Sequence, residues 1–380
     1  MPVKDQLDRL AAFEPVPFPV VSLYLNTQPG QTGRDQFQTF VRKEFAARSR
    51  TFPAKSPERE SLDSDVERLS QYLENDLQAS ANGLALFACS AGDLFEAVQL
   101  TAPIEDNWLY IGDRPHLYPL ARVESLYPRY AAVLADTNSA RILVIATGEV
   151  VGDREIKGTK TRRSTQGGSS QPRYQRHVEN FHLQHAKEVV DALDRIVQRE
   201  NIEKILLVGD EVIVPLLRDE MPKHLAERLV QQVRLDKDAS LDQIVSASLE
   251  AMKRAREQSE RDKVEEAVDG YRSGGLGVVG PEDTLDALVK GQVDELLVTG
   301  DLRELHGLKG AATKGLAMVD DGSPEPVLAG EAAQAPAEAV KLADELVTKA
   351  AQTSARITFV QDPGLLSEYG GVAGLLRFRI

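Results

Sequence analysis

Short runs of β-branched and aliphatic residues alternate with helix-period stripes along all 380 residues, and this alternation admits few architectures. Val20, Val21, Leu23 and Leu25 form one run, closed by Asn26, Gln28, Pro29 and Gly30, which have turn chemistry. Val66, Leu69, Tyr72, Leu73 and Leu77 then recur at helical spacing, and residues 83–88 and 95–100 return to strand-like composition. Two β-like runs, 130–134 and 141–145, flank Asp136, Thr137, Asn138 and Ser139 and predict a hairpin. Tyr174, Val178, Phe181, Val189, Leu193 and Ile196 predict the buried stripe of a long helix. Residues 205–208 and 230–235 read as strands, and Ser240 is the expected N-cap of a helix reaching Asp269. Beyond it lie a short helix at 281–290, a strand at 293–299, a Gly/Ala/Pro-rich stretch at 307–336 expected to be flexible, a helix to Ala351 and a strand at 356–361. The pattern predicts an α/β, multidomain protein.

At about 100 to 200 residues per domain the length suits two or three domains, and the most loop-like junctions fall near Ser125 and Glu265. The expected parts are therefore 1–125, 126–265 and 266–380. No run of about 18 uncharged apolar residues occurs, and the charged N-terminus lacks the apolar core of a signal peptide. A cytoplasmic protein with no membrane partner is expected. Cys89 is the sole cysteine, so one chain can build neither an internal disulfide nor a thiolate zinc site.

Net charge is −14, which would ordinarily argue against a polyanionic partner. The charge is unevenly distributed, however. Residues 1–125 carry 12 basic and 18 acidic side chains, 126–265 carry 23 of each, and 266–380 carry 10 and 18. Within the neutral middle part, KGTKTRRSTQGGSSQPRYQR holds Lys157, Lys160, Arg162, Arg163, Arg173 and Arg176 with no acid among them. Gly167 and Gly168 let backbone approach a ligand closely, and Pro172 suits the first turn of the helix that follows. The amides and dipole at that helix start favour negative charge beside Gln171. These features point to an RNA-inserting loop tipped by Gln171, with His177 and Asn180 on the polar face of the helix behind it. Composition alone suits a solvated surface loop equally well.

GGSSQPRYQR followed by a long helix resembles the GGQ loop of archaeo-eukaryotic class 1 release factors, in the GGxSQxRxxR form of their bacterial relatives, the baeRF group, kin of Pelota and of the hibernation factor Balon. GVVGPEDTLDALVKG at 277–291 with VDELL at 293–297, and GGVAGLLRF at 370–378, are similar to the opening and closing segments of the release-factor C-terminal domain. The resemblance implies an N-terminal α/β domain, an RNase H-like middle domain and a C-terminal α/β/α sandwich. It implies a ribosome-associated protein that meets rRNA and peptidyl-tRNA through Lys157, Lys160, Arg162, Arg163, Arg173 and Arg176. Gly167, Gly168 and Gln171 would promote hydrolysis of the peptidyl-tRNA ester in ribosome rescue or quality control. The alternative it implies is non-catalytic occupation of the ribosomal A site in rescue or hibernation. A translational GTPase is an implied partner, and no cofactor or metal is implied. Two serines separate Gln171 from the glycine pair, and no Asn-Ile-Lys-Ser element occurs in residues 1–125, so stop-codon decoding is not expected.

Other motifs have simpler explanations. Gly275, Gly277 and Gly280 match a dinucleotide fingerprint with Asp301 downstream, but a charged helix stands where that fingerprint needs a strand. Of His177, His182 and His185, only the last two share a face, and His185 falls in the apolar stripe. Asp136 lacks partner carboxylates for a nuclease metal site. Glu282 and Asp283 follow Pro281 as helix-start acids do.

Overall fold

The computed structural model describes residues 3–28, 36–146, 149–157, 171–200, 202–209, 212–233, 240–306, 327–329 and 336–379. The first segment runs α1 (Val3–Ala11), β1 (Val20–Asn26), α2 (Gln36–Ser49), α3 (Pro57–Asn75), β2 (Gly83–Cys89), β3 (Leu94–Leu100), β4 (Trp108–Gly112) and α4 (Tyr118–Leu126). The second has β5 (Tyr130–Ala135), β6 (Ser139–Ala146), β7 (Glu149–Lys157), α5 (Gln171–Glu200), β8 (Lys204–Gly209), α6 (Ile213–Glu220), α7 (Lys223–Ala226), β9 (Leu229–Val233) and α8 (Leu241–Arg272). The third has β10 (Gly277–Val279), α9 (Pro281–Val289), β11 (Val293–Thr299), β12 (Val327–Ala329), α10 (Ala337–Gln352), β13 (Arg356–Val360) and β14 (Val372–Leu376).

Local chemistry sets several of these boundaries. Ser56 accepts the Arg59 amide at 3.2 Å and Pro57 opens α3, while Glu58 and Glu60 occupy its positive end. Ser240 and Gln243 cap α8 reciprocally, at 2.8 Å and 3.3 Å. The expected N-cap is thus one half of a capping box.

Strand alternation explains why each sheet is covered on both faces. The first sheet has the order β12-β4-β1-β2-β3, antiparallel throughout. Val21, Leu23 and Leu25 of β1 face a core with α2 and α3, whereas Tyr24 faces a second core with α1, α4 and α10. The third sheet has the order β10-β14-β11-β13, with β11 and β13 parallel. Its Leu296, Val298 and Phe359 join that second core, while Leu297 and Val360 pack on Val264, Ala267 and Val268 of α8. One apolar core therefore serves two sheets, and residues 1–126 and 257–380 form a single compact unit.

Polar contacts reinforce that unit. Asp344 of α10 accepts the Leu117 and Tyr118 amides at 2.9 and 3.1 Å, capping α4 from a helix more than 200 residues away in sequence, and meets His116 Nδ1 at 2.6 Å. His116 is fully buried, stacked on Tyr110 (4.9 Å) and Trp108 (5.9 Å). The Tyr118 hydroxyl donates to Thr299 O at 2.7 Å, and Gln352 Nε2 to Ala11 O at 2.8 Å.

Residues 127–256 form the other compact unit. Its sheet has the order β7-β6-β5-β8-β9, three antiparallel strands continued by two parallel ones. This is an RNase H-like arrangement. One face packs on α5, α6 and α7, the other on Ile244, Ala251 and Met252 of α8. In the third segment α8 covers one sheet face and α9 with α10 the other, an α/β/α sandwich.

Three expectations need correction. Residue 265, read as part of a loop-like junction, lies within α8. Val178 and Phe181 are only half-buried, so the apolar stripe of α5 begins later than predicted. The 307–336 stretch supplies the edge strand β12, which pairs with β4, and its other residues up to 335 lie outside those described.

Candidate nucleic-acid interface

Two elements hold the ends of the basic loop. Lys157 is the last residue of β7 and Gln171 the first of α5. Lys160, Arg162, Arg163, Gly167 and Gly168 lie outside the described residues. Gln171, Arg173 and Arg176 fall on the first turns of α5, as expected for a helix opened by Pro172, and their side chains are outside the description.

The described length of α5 constrains how the loop is carried. Among the α5 residues whose burial is described, from Val178 onward, the buried ones start at His185 and Ala186 and continue through Val189, Val190, Ala192, Leu193, Ile196 and Val197. Between Val178 and Gln184 none is buried. At 1.5 Å per residue, the stretch from Gln171 to Gln184 adds roughly 20 Å of helix before the buried stripe begins. The anchored half of α5, from His185 to Glu200, thus follows a stretch from Val178 to Gln184 with no buried residue. No acidic residue occupies its first turn, so no carboxylate of that turn offsets the positive dipole end.

The strand feeding the loop is an edge strand, paired only with β6 among the described strands. Arg141 forks onto Asp153 at 2.9 and 2.5 Å and ties β6 to β7. That hydrogen bond holds the Asp153 carboxyl below its usual range. Lys157 is exposed and lies 3.3 Å from Glu155, an exposed pair of small energetic weight.

Residues 115–254 match the model of Bacterial archaeo-eukaryotic release factor family 10. Over that stretch the chain is similar to this release-factor family. The match runs from just before α4 into α8 and so contains the loop and both elements that hold it. Among solved structures, the archaeal translation termination factor aRF1 is similar over 99% of this chain and 98% of its own, at 18% identity and a TM-score of 0.26. Dom34 of S. cerevisiae, described as a translation termination-like factor of RNA quality control that interacts with Hbs1, aligns over 78% and 80%, at 12% identity and 0.42. A ribosome-bound archaeal Pelota, seen together with ABCE1, aligns over 99% and 94%, at 15% and 0.40. No curated protein matches the chain.

The other motifs of the chain resolve into structure. His185 is buried with neither ring nitrogen partnered, His182 is half-buried, the His177 side chain lies outside the description, and no metal-holding cluster occurs among the described residues. Asp136 accepts the Asn138 and Ser139 amides at 2.6 and 2.8 Å, which is turn chemistry. The Gly275–Gly280 match contains β10 and follows helix α8, the reverse of the dinucleotide arrangement. Gly277 serves packing instead. A Cβ there would lie 2.0 Å from Ala267 O and 2.4 Å from Tyr271 N. Glu282 and Asp283 occupy the first turn of α9. Among the described residues no helix is long and apolar enough to cross a membrane.

Sequence reasoning missed β7. The signal was present but weak: Val150, Gly152, Arg154 and Ile156 alternate with Val151, Asp153 and Glu155, yet charges on both faces hid the strand.

Proposed function

We propose that this chain is a ribosome-associated factor whose loop enters the peptidyl transferase centre and promotes attack of water on the ester between peptide and tRNA. The observation that carries this reading is the family match over 115–254, which spans both anchors of a loop holding six cations and no acid. In this reading residues 126–265 are the release-factor middle domain, flanked by domains 1–125 and 266–380, and the protein works in the cytoplasm. Lys157, Lys160, Arg162, Arg163, Arg173 and Arg176 hold rRNA and tRNA phosphates.

The chemistry assigns distinct tasks. Water adds to the ester carbonyl, the oxyanion needs donors, and the tRNA 3′ oxygen leaves with a proton. Gln171 opens α5, so its region contains helix amides with no intrahelical acceptor, suited to an oxyanion. The Gln171 side chain does not titrate near neutral pH, so it orients water and does not act as a base. Gly167 and Gly168 leave room for close backbone approach. A translational GTPase that delivers the factor would meet residues 266–380, which carry 18 acidic and 10 basic side chains.

Peptide release from stalled ribosome complexes tests the reading. The natural chain should release peptide and Gln171→Ala should be slower by about 10²-fold, the scale of a lost water-positioning or oxyanion contact. Binding with no release from either protein would leave an A-site occupant without catalysis. Failure to co-sediment with ribosomes would overturn the reading altogether.

A further inference from the structure

The two halves of α5 are held very differently. From His185 onward the helix buries Val189, Leu193, Ile196 and Val197, and polar contacts tie it to α6 and α7: Lys187 lies 3.9 Å from Glu220, and Asp194 meets His224 Nε2 at 2.8 Å. From Val178 to Gln184 no residue is buried. Val178, Phe181 and Leu183 are half-buried, yet the core beneath α5 takes Ile156, Leu216 and Leu229 as its half-buried neighbours and none of these three. The Phe181 ring meets only that of His182, the next residue, at 6.1 Å among the described residues. No side chain from 178 to 183 makes a hydrogen bond or ion pair among the described residues.

The sequence gives this stretch little reason of its own to stay helical. Val178, Asn180, Phe181 and His182 are weak helix formers. No acid stands in the first turn of α5, and Arg173 and Arg176 place like charge near the positive end of the dipole. Isolated helices of this length are marginal in water.

The boundary between the halves falls on an unsatisfied group. His185 is 1% exposed, and neither Nδ1 nor Nε2 has a hydrogen-bond partner. A neutral imidazole carries one donor and one acceptor, so both are orphaned while the helix is docked at this residue. Opening α5 as far as His185 lets water reach the ring, which favours the opened form by a factor of about 5 to 150. Past it, Ala186, Val189 and Val190 are buried and apolar, so further opening only costs.

We infer that α5 carries a helix–coil switch hinged at His185: the stretch before it opens and closes as a unit, and RNA phosphate at the helix start favours the closed form. The RNA part rests on the ribosome-binding reading above. Phosphate discriminates between the forms because the aligned amides and dipole exist only when the helix is closed. Closing also presents the amides beside Gln171 on which the proposed ester chemistry depends, so that chemistry becomes available where RNA is engaged.

Hydrogen exchange of the full chain reads the switch directly. Amides of Phe181–Gln184 should exchange at least about tenfold faster than those of Val189–Val197. His185→Leu removes the orphaned group and keeps an apolar side chain in the core, so it should slow exchange at Phe181–Gln184 by about 5- to 150-fold. Vacant ribosomes should slow the same amides of the natural chain about tenfold, the scale of a charge-assisted contact made in one form only. Equal exchange in both halves of the natural chain would overturn the inference, and so would a His185→Leu effect confined to Val189–Val197. Ribosome binding that leaves Phe181–Gln184 unchanged overturns the RNA coupling alone. A chain that shows the hinge but ignores ribosomes overturns the functional reading and the coupling, and leaves the hinge standing.

Discussion

Replacing Asp344 by alanine should unlock the unit formed by residues 1–126 and 257–380. The carboxylate serves three donors at once: His116 Nδ1 at 2.6 Å, Leu117 N at 2.9 Å and Tyr118 N at 3.1 Å. Alanine offers none of these acceptors, and His116 is fully buried, so water cannot take over at the ring without opening the core. A helix cap contributes about 0.5–2 kcal/mol, and an orphaned buried donor costs about 1–3 kcal/mol. The combined loss should be about 1.5–5 kcal/mol. Asp344→Asn keeps an acceptor for the amides and should lose roughly half as much. The assay is urea unfolding of the full chain followed by Trp108, the only tryptophan, which stacks on His116 and so reports this unit. Its transition midpoint should fall for both substitutions, further for alanine. A loss below about 1 kcal/mol for Asp344→Ala would refute the claim that the contact joins the two outer segments, since even a simple cap is worth that much.

Three further outcomes follow from the same structure. Gly277→Ala should strand the chain in insoluble material or lower stability by more than the ~1–3 kcal/mol usual for overpacking, because the added carbon meets backbone atoms of α8 that cannot rotate away; soluble protein with unchanged unfolding would contradict this. Cys89 is fully buried and burial pushes its thiol up from the usual range, so it should react with a thiol reagent only as fast as the first unit opens, and rapid labelling of native protein would count against the packing described. The Asp153 carboxyl is depressed in the folded state, so its contribution is present above the ordinary aspartate range and is lost as pH falls through the folded value; being exposed, it should amount to no more than ~1 kcal/mol, and a carboxyl NMR titration of natural chain and Arg141→Ala checks the direction.

Local structure was legible wherever one physical signal dominated. Ser240 marked the start of α8, the Asp136–Ser139 turn marked the β5–β6 hairpin, and the apolar stripe around Leu193 marked α5. Strands with charge on both faces were not legible, as β7 shows. Strand β14 was met only as a motif, GGVAGLLRF, whose Gly370 and Gly371 adopt φ of +66° and +82° before the strand begins.

The union of the outer segments was the least legible feature, and it changes what the charge distribution means. Tyr24 looks like one more apolar residue in β1, yet it faces a core completed by helix α10, more than 300 residues later. No local pattern carries that pairing. Counted by compact unit, residues 127–256 hold 21 basic and 19 acidic side chains, whereas 1–126 with 257–380 hold 24 and 40. The chain's net −14 is therefore +2 on the unit that carries the loop and −16 on the other. Three acidic or neutral parts in a row would suggest a chain that avoids polyanions. A weakly cationic unit joined to a strongly acidic one instead attracts phosphate through one body and repels it through the other. The acidity of the whole chain thus belongs to the unit formed by the outer segments, and the net charge of −14 is no argument against a polyanionic partner for residues 127–256.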